Sequence, residues 1–84
     1  MDETHYVAEV VAELRNLCYA DRRVIQGTRF EIIEMAEKFA FDLAQEFIDH
    51  FDLREEMDKA QVRSAAFYTI DFNYGENKCA EQKF

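Results

Sequence analysis

Between Thr28 and Phe51 the apolar residues are spread too widely for an ordinary surface helix. Placed about 100° apart, Phe30, Ile32, Ile33, Ala36, Phe39, Ala40, Phe41, Leu43, Ala44, Phe47, Ile48 and Phe51 fill roughly 200° of a helical circumference. Only Glu37 and His50 interrupt that arc. A helix covered by one layer of neighbours shows a stripe of about 100–140°. The segment holds no Pro and no Gly. It opens with Thr28-x-x-Glu31, a capping-box pattern in which two side chains satisfy free amides at a helix start. The spacing predicts one unbroken helix from Thr28 to Phe51.

Two further segments carry helical periodicity. From about Thr4 to Tyr19, the residues Val7, Val10, Val11, Leu14, Leu17 and Cys18 recur at i, i+3, i+4 and i+7, the mark of an amphipathic helix. A connection around Asp21 to Gly27 follows. A third helix is expected from Asp52, where Asp52-x-x-Glu55 reads as a cap, with Leu53, Met57, Ala60, Ser64 and Phe67 on one face. Its end is ambiguous. Tyr68, Ile70, Phe72 and Tyr74 alternate with Thr69, Asp71 and Asn73, which is strand periodicity in strand-forming residues. Helix to Phe72 or Tyr74 is the expectation, because a lone strand among helices has no partner for its backbone groups and Gly75 makes a normal stop. The predicted fold is all-α: a three-helix arrangement around a long, broadly apolar central helix. Residues 1–75 form a single helical domain and 76–84 a flexible C-terminal tail.

The apolar excess points to self-association. The central segment would span about 36 Å at 1.5 Å per residue, whereas a compact chain of 84 residues is only about 30 Å across. Each aromatic side chain left in water forgoes roughly 1.5–3 kcal/mol. A homo-oligomer, most simply a twofold dimer, would cover the surplus, with Phe30, Phe41, Ile48 and Phe51 as the expected self-association residues.

Composition and charge narrow the function. A hydrophobic fraction of 49% is that of a folded protein rather than a disordered one. No apolar run approaches the about 20 residues of a membrane span, and the acidic start, Met1 to His5, is unlike a basic secretory signal. A cytoplasmic location is expected. Cys18 and Cys79 make neither a metal spacing nor a disulfide framework and are expected to be free thiols. The net charge is −8. Many of the acids lie between Glu31 and Asp58, and Glu31, Glu34, Asp42, Glu46 and Asp49 share the outer face of the central helix. Such a field disfavours direct nucleic-acid binding and favours a basic protein partner. Glu34, Asp42, Glu46 and Asp49 are the expected partner-binding residues.

Arg22, Arg23 and Arg29 cluster around Gly27-Thr28, so Arg22, Arg23, Thr28 and Arg29 form an alternative anion site at a helix start for a nucleotide or other anionic small molecule. One Gly in the connection is too few for a P-loop. Catalysis finds little support. His5 and His50 are the only imidazoles, Glu46 and His50 supply too few convergent ligands for a metal, and no Ser or Cys carries a signature of nucleophile activation. Neither a metal nor a cofactor is expected. Asp71, set between apolar positions, would need a hydrogen-bonding partner or an exit to solvent. The expectation is a small, acidic, non-enzymatic interaction or regulatory protein of the inhibitor type. The alternative is an oligomeric binder that sequesters an anion at the arginine cluster.

Overall fold

A β-hairpin occupies the segment where the first helix was expected. In the computed structural model, which describes residues 4–74, β1 (Tyr6–Leu14) pairs antiparallel with β2 (Tyr19–Gly27). Valines at 7, 10 and 11 satisfy helical spacing, but Ala8, Val10, Ala12 and Leu14 also alternate, and all four are buried on one side of the strand. β-branched residues lose rotamer freedom in a helix and pack well on a pleated surface, so tertiary burial decides for the strand. Cys18 does not lie on an apolar helical stripe; it sits exposed, as a free thiol, in the hairpin turn. There Asn16 (φ 67°) and Cys18 (φ 53°) supply the left-handed backbone. Cys79 falls outside the described residues.

The central helix forms as one unbroken element, α1 (Arg29–His50). At its start the Glu31 amide donates to Thr28 Oγ1 at 3.2 Å, and the Thr28 amide donates to Glu31 Oε1 at 2.9 Å. This is the reciprocal capping box. At its end Leu53 N–H reaches the Ile48 carbonyl (3.0 Å) and Asp52 N–H the Asp49 carbonyl (3.2 Å). With Asp52 left-handed at φ 53°, these bonds form a Schellman stop. Asp52 therefore ends α1 and does not begin the next helix. α2 (Glu56–Ala65) starts later, with Glu55 at the N-cap and no side-chain cap bond.

The third helix stops nine residues short of Tyr74. Residues Ala66–Asp71 form β3, antiparallel to β1 from Leu14↔Ala66 to Glu9↔Asp71. The partner that a lone strand lacked is β1 itself. Sheet order is β2-β1-β3, and the fold is α+β rather than an all-α three-helix bundle.

One face of the sheet carries α1; the other carries no element among the described residues. Ile32, Ala36, Phe39, Ala40, Leu43, Ala44 and Ile48 of α1 pack with Ala8, Val10, Ala12 and Leu14 of β1, and Val62 of α2 closes one end. Five of these twelve core residues are alanine, so helix and sheet approach closely with little side-chain volume between them. The surplus grease on α1 is thus largely absorbed by the sheet, which a three-helix arrangement did not provide.

Candidate interaction surfaces

The outer face of α1 is acidic, with Lys38, four residues from both Glu34 and Asp42, as its one cation. Helical geometry sets Glu34, Asp42, Glu46 and Asp49 on the side away from the sheet-facing Ile32, Ala36 and Leu43, and all four acids are exposed. Asp49 accepts a hydrogen bond from the Gln45 side chain at 3.1 Å. Ion pairs among the described residues join Arg22 to Glu9, Arg54 to Asp52 and Lys59 to Glu56. None involves this face. Lys38 is the one lysine of α1.

The four expected self-association residues separate. Ile48 is only 3% exposed and belongs to the core. Phe51 caps the helix, half exposed, against the rings of Phe47 and His50 at 4.5 and 4.7 Å. Phe30 and Phe41 are 69% and 53% exposed. Eleven residues apart, they fall on one stripe of the helix. Phe41 borders a groove of about 480 Å³ between α1 and β3, floored by Ala40, Ala44, Ala66, Phe67 and Tyr68, with Glu37 and Arg63 also lining it.

The arginines of the alternative anion site are not brought together. As neighbours on a strand, Arg22 and Arg23 point to opposite faces of the sheet. Arg22 meets Glu9 at 3.3 Å on the open face, while Arg23 lies 4.3 Å over the Phe39 ring under α1. Arg29 lies 4.5 Å over Phe72. Thr28 is committed to the capping box, which takes up the Glu31 amide and sets the Glu31 carboxylate at the α1 N-terminus, where it disfavours a second anion.

Other candidate groups find ordinary surroundings. Asp71 is exposed and accepts from the Asn73 amide at 3.0 Å. Among the described residues no group of three or more His, Cys, Asp or Glu side chains could hold a metal, and no helix is long and apolar enough to cross a membrane. The free edge of β3 beside the groove was missed in the sequence, although the alternation of Tyr68, Ile70 and Phe72 signalled it. No family model matches the chain, and neither the curated proteins nor the solved structures contain a match to it.

Proposed function

We propose that this is a small, acidic, non-enzymatic interaction protein of regulatory type that binds a basic protein through the outer face of α1. The observation that carries the reading is the row Glu34, Asp42, Glu46 and Asp49, exposed on one rigid helix and free of ion pairs among the described residues. Like charges held this close cost a little stability, and a cationic surface arriving from solution relieves that repulsion. A net excess of one sign, four acids against Lys38 on this face, also speeds encounter with an oppositely charged protein and repels nucleic acid. The row spans about 22 Å along the helix at 1.5 Å per residue, enough to engage a basic helix or groove. A free, exposed Cys18 suits a reducing compartment, and we place the protein in the cytoplasm.

The test compares two double charge reversals of equal net charge. Asp42→Lys with Glu46→Lys alters the α1 face; Glu13→Lys with Glu55→Lys alters exposed acids elsewhere. A basic protein captured at low salt should be lost at high salt and with the first pair, yet be retained by the second. Equal capture by both variants, or no basic protein captured by the unaltered chain, overturns the reading.

A further inference from the structure

The two edges of the sheet are built differently. β2 carries Asp21, Arg22 and Arg23 in succession, and charged side chains are a common device that keeps an edge strand single. β3 reads Ala-Phe-Tyr-Thr-Ile-Asp. It has no Pro, no Lys and no bulge, since its residues match β1 one to one. Strand-forming residues on an unprotected edge are a template for another strand.

The backbone shows which groups that edge offers. Arg15 N–H donates to the Ala65 carbonyl at 2.8 Å, which fixes the antiparallel alternation along the ladder. Phe67, Thr69 and Asp71 therefore turn their backbone groups toward β1, and Ala66, Tyr68 and Ile70 turn theirs outward. The Ala66 amide is already used, donating to the Arg63 carbonyl at the end of α2. Among the described residues, what remains open is the N–H and C=O of Tyr68, the N–H and C=O of Ile70, and the Ala66 carbonyl.

We propose that this edge, with the flank of α1 above it, docks a second copy of the chain by antiparallel pairing of β3 with the partner's β3 about a twofold axis at Tyr68. In that register Tyr68 exchanges two hydrogen bonds with its own counterpart, and each Ile70 amide donates to the Ala66 carbonyl opposite. An antiparallel pair of identical strands is twofold by construction, the commonest symmetry of oligomers. The sheet grows to six strands, and both α1 helices lie on the same face.

Size and charge favour a second copy over another occupant. With strands about 4.8 Å apart, the two β1 strands stand about 14 Å from one another. Helices seated above them leave a gap a few ångströms wider than the usual 8–10 Å of helix contact, which the exposed rings of Phe30 and Phe41 fill. The flank is about 33 Å long at 1.5 Å per residue and two layers deep, on the order of 650 Å², near the roughly 800 Å² per partner of a standard interface. Charges lining the groove balance, one Glu37 against one Arg63. A copy of this chain, with its net charge of −8, can approach there without the repulsion it meets across the outer face of α1. Asp42, Glu46 and Asp49 lie outside this flank, whereas Glu34, four residues from Phe30 and seven from Phe41, borders it. Phe41→Glu tests the pairing and Asp42→Lys with Glu46→Lys the acidic face, so the two readings fail separately.

Sedimentation equilibrium on the full chain, joined to amide hydrogen exchange, tests it. The unaltered protein should weigh about twice 10.0 kDa, with the Tyr68 and Ile70 amides as protected as those of Phe67 and Thr69. Phe41→Glu, at an exposed position, should return the mass to 10.0 kDa and speed exchange at Tyr68 and Ile70 about a hundredfold, leaving Phe67 and Thr69 protected. Dilution of the unaltered protein should do the same without any substitution. A mass of 10.0 kDa up to millimolar concentration overturns the proposal. So does a dimer in which the Tyr68 and Ile70 amides exchange freely, and so does protection of those amides in a monomer, which would give the edge to another part of the same chain.

Discussion

Two backbone positions carry unequal strain, and the difference is measurable. Gly27 has φ 153°, and a Cβ built there would meet Glu31 Oε1 at 2.8 Å. That oxygen holds the Thr28 amide, so a side chain at 27 both forces an unfavourable φ and displaces half of the capping box. Gly27→Ala should cost about 2–3 kcal/mol, from a positive φ worth about 1–2 and a cap worth about 1. Thr28→Ala should cost about 1 kcal/mol alone. Asp52 is the opposite case: it holds φ 53° where a helix stop favours glycine. Its ion pair with Arg54 is exposed on both sides and adds little. Asp52→Gly should stabilise by about 0.5–1 kcal/mol. Urea unfolding midpoints at unchanged slope read all three; a Gly27→Ala variant as stable as the unaltered chain would contradict the geometry assigned to the α1 start.

At the scale of elements, the seam between α1 and β1 is lined with small residues. Ala8, Ala12 and Ala36 are each 0% exposed, leaving no room for more carbon. Ala36→Leu should therefore destabilise by about 1–3 kcal/mol through overpacking, whereas Glu34→Leu on the outer face should change stability by under about 0.5 kcal/mol. Glu46→Lys should raise stability by about 0.2–0.5 kcal/mol, because it replaces repulsion from Asp42 by an i,i+4 attraction, while it weakens capture of a basic protein. Loss of both together would place Glu46 in a structural role. Legibility of the elements follows from how each buries its residues. α1 announced both its length and its start, because twenty-two residues repeat one period and Thr28-x-x-Glu31 supplies a chemical start signal. β1 did not, because two of its four inward residues are alanine and leave the valines to suggest a helical period. β2 read as a connection since most of its residues are exposed and show no apolar alternation. β3 displayed its alternation openly, but its only intramolecular partner was the segment mistaken for a helix.

For the whole molecule, what is exposed is sorted by chemistry. Acid in excess of a single lysine, Lys38, lines the outside of α1, aromatic surface and a strand edge unpaired among the described residues lie along its β3 flank, and Glu9, Arg22 and Asp71 mark the uncovered side of the sheet. The acidic residues could be placed on one face from sequence because a helix period alone arranges them. The strand edge could not, since an edge exists only once the sheet order is known. Residues Phe30 and Phe41 were identifiable as surplus aromatics, but Ile48 was not distinguishable from them without α2 and the α1 stop that bury it. The groove and the strand edge both depend on β3 being a strand zipped to β1. The most direct check is a set of nuclear Overhauser contacts between α-protons across the pairs Ala12↔Tyr68 and Val10↔Ile70, which lie at the non-exchanging positions of the ladder, where antiparallel backbones come closest. Strong contacts at both pairs are the expected result. Their absence, with successive amide–amide contacts running unbroken from Ala65 to Tyr74, would show a helix there and contradict the sheet, its open edge and the groove together.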